Sequence, residues 1–359
     1  MDTRLVRLAT ILVRYSLKVQ PGQAVAVQGG AVAEPLILAV YEELLRAGAH
    51  PFVRMQPDGQ QERFFTVGRK RHFTEVSPLE AACAKALDAS IRIYSQTNTR
   101  ELSAVQPARQ TAFARTMDPV MRIVRDKPWV LTLFPTAAYA QDAEMSLRAL
   151  EEFVYGATFA DEERPVAAWR ALSRDQARLI RRLEGADEIR ITGPDTDLTL
   201  SVRGRTFINS DGRRNMPSGE IFTGPIEDSA EGHIRYDFPV CHMGREIDGI
   251  RLVFRKGTVV EASATKNQSF LREMLAMDAG AVKLGELGIG TNRRIQRFIR
   301  NILFDEKIGG TVHLALGQSY AETGGVNESA LHWDMIKDLR QGGAIHVDGR
   351  LFQENGRFV

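Results

Sequence analysis

A chain of 359 residues is longer than one hydrophobic core ordinarily supports, so two packed units are expected. Hydrophobic residues at 43% and charged residues at 26% exclude a disordered or fibrous chain and leave enough apolar material for a real core. The 47 basic and 45 acidic side chains are interspersed, and a net charge of +2 without a basic stripe excludes nucleic acid as the expected partner.

Apolar side chains at helical spacing from Asp2 to Ser16 predict a helix, which Lys18-Val19-Gln20-Pro21-Gly22 ends with proline and glycine. Ala24 to Gln28 reads as a strand, Gly29-Gly30 as a turn, and Glu34 to Ala47 as a helix. Further strands are predicted at Ala49 to Met55, Ala89 to Tyr94 and Trp129 to Phe134, separated by helical patterns. Strands that alternate with helices imply a largely parallel sheet covered on both faces. The first half is therefore expected to be an α/β domain, spanning residues 1–185.

An amphipathic helix is predicted from Asp161 to Leu183, and after Gly185 the texture changes. Short β segments follow at Glu188 to Thr192, Thr196 to Val202, Gly232 to Val240, Ile250 to Phe254 and Val259 to Thr265, with a helix from Asn267 to Met277. Such close spacing favours antiparallel strands. Residues 186–359 are expected to form an α+β domain that carries a metal site.

No apolar run approaches the roughly 20 residues needed to span a bilayer, and charged residues stand early where a secretory signal would be apolar. A cytoplasmic protein with no membrane partner is expected. Cys83 and Cys241 lie far apart without a CxxC partner, which excludes a zinc ribbon or disulfide framework. Any metal must be held by oxygen and imidazole.

Acid, imidazole and glycine cluster in five segments of the second half, each flanked by turn residues, as expected for a site built on loops. Extended backbone would put His332 and Asp334 on one face, where a neutral nitrogen and a carboxylate suit a divalent ion, or where both are polar residues on the solvent face of an edge strand. His346 and Asp348 share that spacing, but the Asp348-Gly349 step reads as a turn. Glu286 sits in the glycine-rich Gly285-Glu286-Leu287-Gly288-Ile289-Gly290, where a lone carboxylate is costly unless it is paired, bound to a cation or exposed at a bend. Glu220 follows a Pro-Ser-Gly turn, at the start of a strand or exposed on the surface. His313 lies among apolar residues, either as a hydrogen-bonded core histidine or as a ligand. Tyr320 is placed to reach the same cleft or to lie on the surface, and His233 is a candidate for the cleft lining.

In order, NMPSGEIFTGPIEDSAEGHI at 215–234, LGELGIGTN at 284–292, LFDE at 303–306, HLALGQSY at 313–320 and NESALHWDMI at 327–336 resemble the aminopeptidase T family of dimetal exopeptidases, also called aminopeptidase II or thermophilic aminopeptidases. YSLKVQPGQAVAVQG at 15–29, RAGAHPFVRM at 46–55 and PTAAYAQDAEMSL at 135–147 extend the likeness to nearly the whole chain. The resemblance implies that Glu220, Glu286, Glu306, His313, His332 and Asp334 ligate two metals, one carboxylate bridging, and that Tyr320 hydrogen-bonds the oxyanion. It selects His332 and Asp334 over the pair in the tail. Oxygen ligands with two imidazoles suit zinc, cobalt or manganese. Glu286 or Glu220 is expected to move the proton to the leaving amine. The implied substrate is a peptide with a free N-terminus, and the implied assembly a homodimer. The sequence departs from the family in the stretch Lys307 to Val312, which lengthens the interval between Glu306 and His313. A relative that keeps the fold and binds metal or peptide without turnover is the alternative. A dinucleotide domain prompted by Val27-Gln28-Gly29-Gly30 lacks the GxGxxG pattern.

Overall fold

The computed structural model describes residues 2–242 and 245–359. The chain divides into two compact units, Met1–Trp169 with Gly212–Pro217, and Arg170–Asp211 with Ser218–Val359. No helix among the described residues is long and apolar enough to cross a membrane.

The first unit is built on a parallel sheet of β1 (Ala24–Gly30), β2 (His50–Gln56), β3 (Ala89–Tyr94) and β4 (Trp129–Leu133), in the order β2-β1-β3-β4, with Asn215–Met216 as a short fifth strand beside β4. Val25, Ala26 and Val27 are all fully buried, as an inner parallel strand covered on both faces requires. The first helix, Thr3–Thr10, starts where the Asp2 carboxylate accepts a hydrogen bond from the Arg4 N–H at 2.9 Å, and it widens into a π-helical turn at Ile11–Ser16. Helix Glu34–Arg46 buries Leu36, Ile37, Val40 and Leu44. The α/β reading of this half is borne out.

Among its described residues the second unit contains two large antiparallel sheets and a two-stranded ribbon of Val240–His242 and Arg245–Ile247. One has eight strands and runs from Thr258–Ser263 at one edge to Arg357–Phe358 at the other. The other has five strands, β5 (Ile208–Ser210), β6 (Glu220–Thr223), β7 (Leu284–Gly290), β8 (Thr311–Gly317) and β9 (His332–Asp338), which lie in the order β9-β8-β7-β6-β5. Ile189, Ile191, Leu198 and Leu200 of the first sheet and Leu287, Ile289, Val312, Leu314, Leu316, Trp333 and Met335 of the second belong to one buried cluster. The alternation along β7, β8 and β9 thus points one face of the small sheet into the core and leaves the other for different work.

Candidate metal centre

Register decides which side chains share that other face. Gly290 of β7 lies opposite Glu220, Glu286 opposite Ala315, and Gly288 opposite His313. Across the next pair, Ala315 faces Asp334 and Gly317 faces His332. Glu220, Glu286, His313, His332 and Asp334 therefore emerge on the same surface of four neighbouring strands. Small residues, Gly288, Gly290, Ala315 and Gly317, stand between them, and Gly288 is the one whose missing Cβ makes room for a site side chain. Gly288 is the tightest of these positions: a Cβ built there would stand 2.0 Å from Cε1 and 2.1 Å from Nε2 of His313, whose ring lies across the glycine.

This placement differs from the expectation of a loop-borne site. Glu286 lies within a fully buried strand; Gly288 makes room for the His313 ring, while Gly285, at a register shift, and Gly290 admit close backbone carbonyls. Glu306 and Tyr320 come from connections: Glu306 closes the short helix Ile302–Asp305, and Tyr320 follows β8. His346 belongs to the other sheet and Asp348 to the turn that follows its strand, where, at φ +48°, it accepts hydrogen bonds from the N–H groups of Asp187 and Glu188. His233 also lies on the eight-stranded sheet, with its Nε2 3.7 Å from Asp195.

The donor atoms converge closely. His313 Nε2 is 3.3 Å from Glu220 Oε2 and 3.4 Å from Glu286 Oε1, while the other oxygen of Glu286 is 3.4 Å from His332 Nε2. Asp334 Oδ2 lies 3.6 Å and the Tyr320 hydroxyl 3.4 Å from that same His332 nitrogen. Nδ1 of His332 is 2.9 Å from the Gln318 carbonyl, so a proton there donates outward and leaves Nε2 aimed at the carboxylates. Three sets of donors, Glu220–Glu286–His313, Glu286–His332–Asp334 and Glu306–His313–Asp334, each lie within 4.8 Å of one another. Each pair of sets shares one residue.

Electrostatics mark the cluster as short of positive charge. Loss of water raises the Glu220 carboxyl, with Glu306 and Glu286 adding to the rise and Lys307 and His313 opposing it. Asp334 rises for the same first reason, and the neighbouring Glu306 and Glu286 push it further. Burial also acts to raise Glu286, but hydrogen bonds from His313 and His332 outweigh it and leave this carboxyl below its ordinary value. Burial would lower both imidazoles; the carboxylates reverse that, to about 9 for His313 and about 10 for His332. Desolvation and the charges of Glu286 and Asp334 raise the Tyr320 phenol, which keeps its proton and remains a donor.

Glu220 Oε2, Asp334 Oδ1 and His313 Nδ1 are buried and have no hydrogen-bond partner among the described residues. Buried oxygens of this kind, with two imidazoles beside them, fit divalent cations that accept oxygen and nitrogen donors. One neighbour was not singled out by the sequence reading. Lys307, fully buried, has its ammonium 3.4 Å from Glu220 Oε1 and directly against Glu306 Oε1. The signal available in the sequence was a lysine next to a candidate ligand.

The family model described as thermophilic metalloprotease (M29) matches residues 1–358. Aminopeptidase T of Thermus thermophilus is 27% identical over 98% of this chain and 95% of its own, and aminopeptidase 2 of Geobacillus stearothermophilus is 27% identical over 93% and 92%. Among solved structures, wild-type AmpT from Thermus thermophilus superposes with a TM-score of 0.87 at 24% identity, covering 99% of both chains. The 2,5-dihydroxypyridine dioxygenase of Pseudomonas putida KT2440 superposes at 0.60 with 16% identity, over 100% of this chain and 98% of that one. A fold that also carries an enzyme named for other chemistry leaves the function to be argued from the site.

Proposed function

The chain belongs to the thermophilic metalloprotease family M29, and on that premise we propose that it is an aminopeptidase that releases N-terminal residues from peptides with a water activated between two divalent cations. The observation that carries this reading is the convergence of six donor residues, from four strands and one connection, into three interlocking sets. The aminopeptidase names of its full-length relatives support the substrate class.

Glu220, Glu286, Glu306, His313, His332 and Asp334 would hold the ions. Glu286 is suited to bridge, because its two oxygens face different imidazoles. Divalent ions bound there, zinc, cobalt or manganese, supply Lewis acidity toward the scissile carbonyl and acidify a water. The chain itself supplies proton handling and polarisation. Whichever of Glu286 and Glu220 keeps an oxygen free of the ions, Glu220 if Glu286 bridges, would take a proton there and return it to the leaving amine. The Tyr320 O–H donates toward the developing oxyanion from the open side of the centre; 42% of this residue is exposed, against 5% of Glu286.

A cytoplasmic setting and a homodimer belong to the same proposal. The dimer draws support from the large apolar side chains exposed on the first unit, Leu38, Tyr41 and Leu45 of helix Glu34–Arg46 and Phe52, Val53 and Met55 of the edge strand β2.

The test compares an unblocked peptide with its N-acetylated form, with chelator and with metal restored. Release of the first residue from the unblocked peptide alone, abolished by chelation and recovered with zinc, cobalt or manganese, is the expected result. Cleavage of the blocked peptide, or activity that survives complete metal removal, overturns the reading.

A further inference from the structure

The buried ammonium of Lys307 has no part in the chemistry above. It is tethered at a fixed place: the Lys307 N–H donates to the Phe304 carbonyl at 3.0 Å, and its own carbonyl accepts from Asn292 N–H at 3.2 Å. From there the side chain reaches one oxygen of Glu220 and one of Glu306. A fully buried ammonium is costly unless carboxylates compensate it, and two carboxylates crowded together are costly unless a cation lies between them.

The contacts are unevenly shared among the three donor sets. Glu220 belongs to the set with Glu286 and His313, and Glu306 to the set with His313 and Asp334. The third set, Glu286–His332–Asp334, contains neither residue that Lys307 touches. A divalent ion on the Glu220 and Glu306 side therefore meets carboxylates already partly neutralised, with a positive charge a few ångströms away. An ion on the His332 side meets no carboxylate that Lys307 touches directly; only Asp334 feels the ammonium, at longer range.

We propose that Lys307 is a tethered counter-cation that holds the metal-free centre together and makes the Glu220/Glu306 side the weaker of two divalent-cation positions. This rests on the reading of the cluster as a metal centre. The cations load in sequence, first at Glu286–His332–Asp334, and the second position stays exchangeable because the ammonium competes for its ligands.

The test uses the full-length chain stripped with chelator and titrated calorimetrically with Zn2+ alone, together with thermal melts in chelator and in excess Zn2+. The wild type is expected to show one tight and one weaker site. K307M, which keeps the length of the side chain without its charge, is expected to melt lower in chelator, by roughly 2–5 °C. In the same variant the weaker site should tighten at least about tenfold. K307Q, which keeps a hydrogen-bond donor, is expected to follow K307M, because charge is the operative property. A weaker site that is unchanged or loosened in either variant overturns the proposal. So does failure to recover folded K307M even in Zn2+, since metal should make the ammonium dispensable. A wild type that binds no Zn2+ removes the metal centre itself; a wild type that binds two ions alike removes only the role of Lys307.

Discussion

Gly288→Ala is a one-methyl change that the backbone permits and the site does not. Gly288 lies in a regular strand outside the positive-φ region, so alanine brings no conformational strain of its own. The added Cβ would stand 2.0 Å from the ring of His313, which must retreat by more than about 1 Å to regain an ordinary contact. That ring is 1% exposed and is held at Nε2 by Glu220 and Glu286, so it has no open side to move into. Overpacking of this kind costs about 1–3 kcal/mol. A ligand displaced by about 1 Å costs on the order of 100-fold in turnover. The expected outcome is a lower melting temperature, a fall in kcat of that order on an unblocked peptide, and weakened Zn2+ binding. Gly193→Ala is the control, because its Cβ would meet Lys337 Cε at an ordinary 3.5 Å, and it should leave all three measurements unchanged. Wild-type kcat and Zn2+ affinity in Gly288→Ala would refute the placement of His313 across β7.

Glu286→Gln keeps the shape and removes the charge that faces both imidazoles; turnover should fall by about 1,000-fold or more while circular dichroism stays native. Undiminished activity would mean the centre is misplaced. Tyr320→Phe should lower kcat by roughly 100-fold with Zn2+ content unchanged, and a kcat within about threefold of wild type would remove the hydroxyl from the mechanism. Asp278 accepts from the N–H groups of Gly280, Ala281 and Ala330 and from the Ser329 hydroxyl, which ties the entry into β9 to the 278–281 turn. These bonds, led by that from Ala330, hold its carboxyl below the ordinary value. A carboxyl lowered by folding adds stability above its unfolded value of about 4, and that stability is lost as pH falls through the folded value. Asp278→Asn should therefore melt below wild type at neutral pH, and the gap should close in acid; a gap independent of pH would assign the loss to packing.

Much of this molecule was legible in its sequence. Parallel strands in the first half follow from continuous apolar runs such as Ala24 to Val27, and antiparallel pairing in the second follows from short segments at close spacing. The donor residues were legible as a set because five ordered motifs, unlike any single His-x-Asp pair, leave little room for coincidence. Their setting was not. The glycines beside Glu286 signal a turn by composition, yet they stand in a buried strand, because a position without a Cβ serves a neighbouring ring, as at Gly288, or a close backbone carbonyl, as at Gly290, as well as it serves a bend.

The order of elements and the kinds of candidate donor, oxygen and imidazole with no thiolate among them, were determined by the sequence itself, since local periodicity and side-chain chemistry are properties of short stretches. Which oxygen faces which nitrogen was decided only by the tertiary structure. Glu220 and His313 are 93 positions apart in the chain, and their meeting depends on strand register, where a slip of one residue would turn every donor on that strand into the apolar core. Lys307 shows the same division: the sequence places a lysine beside Glu306, and the fold buries its charge against Glu220 as well.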